Sequence, residues 1–198
     1  WRYVFFTSAG LVTLIALALA AYLPSRRPPP GLHYRAIIAS VGALLVRHRQ
    51  LRLRALYQSL MFGVFNLFWT AAPLTLIRDM GLSQRAVAAF ALAGAGGALT
   101  APLAGWLADH GRTRQATVAG FIAVALSFLA ADWSVAAGSV LLFALMAIII
   151  DGAVQMSQVS GQRIIFALDP HARGRINAAY MTIMFVVGGM GSMLGSAT

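Results

Sequence analysis

The sequence predicts an all-α transmembrane protein with six membrane-spanning helices. Three observations carry that expectation. Of 198 residues, 60% are apolar and only 10% are charged. A water-soluble domain of that composition would expose large apolar patches. The apolar residues fall in long, nearly charge-free blocks, each close to the ~20 residues that cross a hydrocarbon core of roughly 30 Å. The arginines collect in alternate connections between those blocks.

The first span is read over residues 3–23 and is closed by Pro24. Pro28-Pro29-Pro30-Gly31 then favours an extended linker. Residues 36–46 are apolar but too short to span. With Arg47, Arg49, Arg52 and Arg54 behind them, they read as a helix at the membrane surface whose arginines reach into headgroups. The second span covers 55–77 and ends before Met80-Gly81. The third, 86–107, is rich in Gly and Ala, and a short loop with Asp109, Arg112 and Arg114 follows it. The fourth covers 116–131, with a tight connection expected at Asp132-Trp133. The fifth runs from 134 to about 159, and a polar stretch over 160–175 precedes the sixth, 176–197. Pro73 and Pro102 lie inside spans and predict kinks.

Charge tests this parity. Connections after the first, third and fifth spans hold seven, two and three arginines; the opposite side holds Arg2, Arg78 and Arg85. The positive-inside rule places the arginine-rich connections in the cytoplasm. The net charge of +10 is therefore read as topology and affinity for anionic lipid, not as a nucleic-acid surface. All basic residues are Arg and there is no Glu, which reads as a composition bias. Ala18-Leu19-Ala20 mimics a signal-peptidase site, but the apolar run before it is too long and Arg26 and Arg27 would lie on the wrong side. The chain opens at Trp1 and stops at Thr198 directly after an apolar segment, so both ends are expected to be cut.

Polar groups inside spans are costly and need a reason. Asp151 is the single carboxylate expected at membrane depth, and Gln155, Gln158 and Gln162 follow it along one helical face. That stripe suits a protonatable site beside an aqueous path; a structural seam, or an Asp151–Arg pair holding helices together, is the alternative. On the second span Gln58, Phe62, Asn66, Trp69 and Pro73 share about a third of the circumference at about 100° per residue. An indole and amides suit an amphipathic organic molecule, while Gln58 and Asn66 also suit plain interhelical hydrogen bonds. Small residues recur at Ala89, Ala93, Gly97, Ala101 and Gly105, and at Gly188, Gly191 or Ser192, and Gly195, predicting close helix approach.

Several chemistries are excluded by what is missing. There is no cysteine, no phosphate-binding Gly-Lys loop, no His-Glu-x-x-His and no Gly-x-Ser-x-Gly. The histidines, His33, His48, His110 and His171, sit in loops without ligand spacing, so no metal and no cofactor are expected. An enzyme would need a nucleophile or metal set at the depth of Asp151, which stands alone.

The segment Gly105-Trp106-Leu107-Ala108-Asp109-His110-Gly111-Arg112-Thr113-Arg114 resembles the cytoplasmic Gly-x-Leu-Ala-Asp-Arg-x-Gly-Arg-Arg signature of the major facilitator superfamily. His110 replaces the first Arg and the Gly-Arg pair comes one residue early, as in the weaker copy in the carboxyl half of that family. Trp1-Arg2-Tyr3 resembles the start of the family's sixth helix. Gln162-Arg163, Leu168-Asp169-Pro170, Ala172-Arg173-Gly174-Arg175 and Asn177 resemble the loop before its eleventh helix in drug- and sugar-efflux members.

The resemblance covers the whole chain as helices six to eleven of twelve. It implies that 1–23 is the last helix of an amino-terminal half, 24–54 a cytoplasmic linker with an interfacial helix, and 55–198 a carboxyl half-bundle of five spans without its final helix. It further implies a multi-pass protein of a bacterial inner membrane, and proton-coupled efflux of small organic molecules by alternating access. Gly105, Asp109, Arg112 and Arg114 would form a cytoplasmic gate loop, with Asp151 the candidate for proton coupling and Asn66, Trp69, Gln155 and Gln158 the candidates for the substrate cavity. The expected partners are a small-molecule substrate, protons and lipids, with no nucleic acid. A six-helix membrane protein that does not transport, as enzyme, receptor or structural partner, is the rival reading.

Overall fold

A computed structural model describes residues 2–24 and 34–197, apart from the side chain of Tyr34. The expected linker at 28–31, with Arg26, Arg27 and His33, lies outside the described residues. The chain divides into two compact units, Trp1–Ala36 and Ile37–Thr198. Among the described residues, six helical segments are long and apolar enough to cross a membrane.

The first unit is built around helix α1 (Arg2–Tyr22), every residue of which is exposed within the chain. Its two threonine hydroxyls are satisfied internally: Thr7 Oγ1 donates to the Tyr3 carbonyl at 2.8 Å and Thr13 Oγ1 to that of Ala9 at 2.8 Å. Such back-bonding lets a hydroxyl enter lipid without an unpaired polar group.

The second unit begins within α2 (Tyr34–Arg47). Leu44 of α2 joins a core cluster with Leu51, Ala55, Ile165, Ile176 and Tyr180. The second span, α3 (Arg49–Arg78), starts earlier than the sequence suggests. Hydrophobicity marks where lipid begins, whereas a helix continues until its backbone is capped. Arg52 therefore sits in the first turn of α3, and its Nη1 donates to the Leu45 and Val46 carbonyls at 2.7 and 2.6 Å, closing the end of α2. Arg54 Nη1 donates to Thr117 Oγ1 at 2.7 Å. Both arginines thus have hydrogen-bond partners within the protein.

The third span is discontinuous. It comprises α4 (Gln84–Phe90), α5 (Ala93–Gly97), a 3₁₀ turn (Ala98–Thr100) and α6 (Ala101–Asp109). Pro102 lacks an N–H and its ring opposes the carbonyl of residue 98, where the tightened turn lies. The Gly-rich segment before it has little helix propensity of its own. Pro73, by contrast, lies within an unbroken α3. The break shifts the helical phase, so the predicted row of small residues does not form one stripe. Gly97 and Ala104 are buried, while Ala89 is exposed and Gly105 has no neighbour within 4 Å of a Cβ built on it.

Helix α7 (Thr113–Ala136) runs through Asp132 and Trp133, where a connection was expected, and the turn falls instead at 137–139. An Asp-Trp pair marks interface depth but does not stop a helix. Gly138 does, because its φ of 64° is a conformation that side chains resist. Ser139 caps α8 (Val140–Phe166), accepting from the Leu142 amide at 3.4 Å. Helix α8 continues past the predicted end, so Ser160, Gln162 and Arg163 are helical.

Helix α9 (Arg173–Ser196) packs along α3 as the small-residue spacing predicts. A Cβ at Gly191 would overlap the backbone of Gly63, and one at Gly195 would sit 2.8 Å from the Leu67 carbonyl. Gly188, Gly191 and Gly195 are buried there, letting the two backbones approach closely.

Candidate functional site

The site grows from the crossing of α3, α8 and the broken third span. Helix α8 contacts α3, α5, α6 and α7, so its middle is enclosed by neighbours. Asp151 lies there, half-buried. Its neighbour Gly152 is buried, and Thr100 Oγ1 lies 2.7 Å from the Gly97 carbonyl and 3.1 Å from that of Gly152, tying the 3₁₀ turn to α8. A Cβ at Gly97 would overlap Asp151 Cβ and come 2.9 Å from the Gly152 amide nitrogen. Only glycine allows this approach of α5 to α8.

Trp69 reaches the carboxylate from α3: its indole Nε1–H donates to Asp151 Oδ1 at 2.8 Å. The indole is itself held among rings, with centroids 6.4 Å from Phe65, 5.9 Å from Phe68 and 5.8 Å from Phe90. The Asp151–Arg pair weighed as the alternative does not form among the described residues. Among the described residues, the one carboxylate–arginine bridge is between Asp109 and Arg163. Arg163 is twelve residues along α8 from Asp151, roughly 18 Å by helical rise.

Asp151, Gln155 and Gln158 line a cleft of about 240 Å³ with Phe62, Phe65, Gly94, Gly97, Ala98 and Val154. Trp69 does not line this cleft but joins it through its hydrogen bond to Asp151, so residues predicted from two separate stretches come together. Gln162 does not line the cleft. Neither does Asn66, whose Nδ2 donates to the Gly188 carbonyl at 3.1 Å and joins α3 to α9. Gln58 is buried among the helices. Sequence reasoning missed Phe65, Gly94 and Gly97. Phe65 was accessible to it, standing three residues after Phe62 and four before Trp69 on the predicted face. The glycines were not, because their orientation follows from the break in the third span.

A larger cleft of about 460 Å³ runs between α3 and α7, lined by Arg54, Tyr57, Leu60, Arg114, Thr117, Val118, Phe121 and Ile122. It holds no carboxylate and lies away from the polar stripe, so size alone does not make it the site.

The predicted gate residues sit at the arginine-rich end. Asp109 accepts a hydrogen bond from Arg163 Nη1, joining the ends of α6 and α8. Arg112 places its guanidinium 5.8 Å from the Trp106 ring centroid, and the His110 ring lies 4.4 Å from that ring. Gly111 takes a φ of 70°, which explains glycine in this turn. Arg114 faces the larger cleft, and Gly105 is in open space. Among the described residues no group of His, Asp, Glu or Cys is arranged to hold a metal.

This arrangement can hold one mobile positive charge at mid-membrane and orient an apolar or aromatic body beside it. The chain is 35% identical over its whole length to the uncharacterized transporter YgaY of Escherichia coli O157:H7. It is 30% identical over 98% of its length to a Streptomyces coelicolor protein named Probable transporter SCO4007. It spans about half the length of these curated relatives, 50% and 45% respectively. No solved structure matches significantly. The family profile of the Major Facilitator Superfamily matches residues 1–192, and the chain, a multi-pass membrane protein that is not an enzyme, belongs to that family.

Proposed function

We propose that this chain is the working part of a proton-coupled exporter of small organic molecules, placed in a bacterial inner membrane and acting by alternating access. Asp151 is the coupling carboxylate. Gln155 and Gln158 form one wall of the substrate cavity, Trp69 holds the carboxylate beside them, and Asn66 steadies the α3–α9 seam. Asp109, Arg112 and Arg114 with Gly105 belong to the gate at the cytoplasmic end.

One observation carries this reading. Asp151 sits in the middle of an apolar span, opens onto a cleft, and has a neutral indole as its partner instead of an arginine. An ionised carboxylate without a counter-cation is expensive inside a membrane. Such a group is stable when it carries a proton, or when a cation accompanies it. Exchange between those two conditions is what a proton-coupled carrier needs. The glycine contacts at α3–α9 and α5–α8 let helices move against one another without threading side chains past each other.

The test uses the full-length polypeptide in everted membrane vesicles holding a pH gradient, followed by an acridine dye. Addition of a transported compound is expected to dissipate the gradient in wild-type vesicles and not in Asp151→Asn vesicles of equal protein content. Equal dissipation by both would remove Asp151 from the coupling role.

A further inference from the structure

We infer that the junction of α3, α8 and α9, one turn beyond the Asp151 cleft toward the arginine-rich end, is a binding site for enclosed water, ligated by Gln58 and Tyr180. The inference does not depend on what the cleft transports.

The first argument rests on unpaired groups. Oε1 and Nε2 of Gln58, the hydroxyl of Tyr180 and the hydroxyl of Ser160 are enclosed and hydrogen-bond to no group among the described residues. The three side chains belong to residues only 1%, 0% and 0% exposed. A buried carboxamide or phenol without a partner is costly, and more so where lipid surrounds the bundle. Such groups in folded proteins are paired with protein or with ordered water. The hydroxyl next to Gln58 shows the ordinary remedy, since Ser59 Oγ donates to the Ala55 carbonyl at 2.6 Å. Gln58 has no such recourse. Side chains with almost no outer surface cannot be reached by further polypeptide packed against the bundle. Their partners therefore lie inside it.

The second argument is geometric. Phe62 of α3 meets both neighbours: it lines the cleft with Asp151, Gln155 and Gln158 of α8, and a Cβ built on Gly188 of α9 would overlap its ring. Gln58 stands four residues before Phe62, on the same face and about one turn nearer the arginine-rich end. Helix α8 runs antiparallel to α3, so the same step leads there from Gln158 to Gly161. Tyr180 of α9 arrives at that point: a Cβ built on Gly161 would sit 2.7 Å from its Oη. Glycine at 161 thus makes room for the phenol against α8, next to Ser160. Tyr180 also interacts electrostatically with Arg54, one turn before Gln58. Asn177 Oδ1, three residues before Tyr180, is unpaired as well. Three helices bring unpaired donors and acceptors to one level.

The third argument identifies the ligand. A carboxamide and two hydroxyls are neutral and both donate and accept. Arg54, the nearby charge, gives its Nη1 to Thr117 Oγ1 at 2.7 Å. The matching ligand is neutral, donates and accepts, and is small enough for a packed interior. Water, which needs two to four polar partners when buried, meets each condition.

The test uses the full-length protein in lipid nanodiscs. Millisecond X-ray radiolysis generates hydroxyl radicals from water where it is bound, and mass spectrometry reads the oxidised side chains. After correction for intrinsic reactivity, Tyr180 is expected to oxidise roughly fivefold or more faster than Phe68, which is 4% exposed in an apolar cluster. Gln58→Leu should cut the Tyr180 rate roughly threefold or more. Gln58→Leu and Tyr180→Phe should each lower the melting temperature by about 2 °C or more, because each strips a partner from bound water. The double substitution should lose less than the sum, through the water the two side chains share. Tyr180 as unreactive as Phe68 in the wild type would overturn the inference, and that measurement needs no variant. So would a melting temperature that rises with either substitution, the sign expected when unpaired groups are replaced by apolar ones of similar shape. Coupled losses without Tyr180 oxidation would overturn it too, since they would mean that Gln58, Tyr180 and Arg54 pair directly.

Discussion

Two aspartates of this chain are each placed near a glycine of the third span, and their settings are opposite. Asp151 is half-buried at mid-span, receives its hydrogen bond from an indole, and is pressed by α5 through Gly97. Asp109 is exposed at the arginine-rich end, pairs with Arg163, and follows Gly105, which touches nothing. The difference teaches what a charge is worth in each place. At the exposed end a salt bridge is screened by water and contributes about 1 kcal/mol or less. At membrane depth the same carboxyl group, left without a cation, is costly to keep, which is why it stands out as a candidate for function.

The sharpest way to break the comparison is through the glycines. Gly97→Val would drive a side chain into Asp151 and the backbone of Gly152. It is expected to cost more than the about 3 kcal/mol at the top of the usual overpacking range. Gel filtration and thermal melting should show little folded protein. Gly105→Val, in open space, should behave as wild type in the same measurements. Matching losses from both would show that the third span does not pack on α8 as described.

The second largest effect is expected from Asp151→Asn, with transport falling about a hundredfold, a loss of roughly 3 kcal/mol of stabilisation. Expression and melting temperature should change little. Initial rates of gradient-driven transport in vesicles measure it.

A smaller change is expected from Trp69→Phe. The ring stays in its aromatic cluster, but a hydrogen bond to a charged group, worth about 1.5 to 3 kcal/mol, is removed. Loss of half-saturation affinity of roughly tenfold, with intact melting behaviour, is the expected outcome. An unchanged affinity would mean that the indole only fills space.

Asp109→Asn should do least. Its partner Arg163 has a side chain 50% exposed and Asp109 one 56% exposed. The thermal stability is expected to fall by at most about 1 kcal/mol, and the difference from wild type should shrink as salt is raised. A loss as large as that of Asp151→Asn would erase the contrast between the two carboxylates.

Much of this was readable before any tertiary information. Long apolar blocks require six helices, because no other segment satisfies its own backbone in lipid. The glycine row at 188, 191 and 195 foretold a close helix approach along α9, since small residues at helical spacing leave one groove, and the fold gives that groove to α3. Asp151, Gln155 and Gln158 were legible as one polar face, and the tertiary structure sets that face on one cleft.

Other features were decided only when the helices packed. Local hydrophobicity and spacing say which face of a helix is polar. They say nothing of its depth and rotation against a neighbour, which depend on where glycines permit contact and where prolines break the helix. For that reason the indole of Trp69, eighty-two residues away in sequence, rather than any arginine, became the partner of Asp151. For the same reason the amide of Asn66 went to the Gly188 carbonyl and not to the cleft. The third span's row of small residues was likewise divided by the turn at Ala98–Thr100. Segmental character is a property of the chain's own solvation, whereas the choice of partner is a property of how the segments of the second unit fit together.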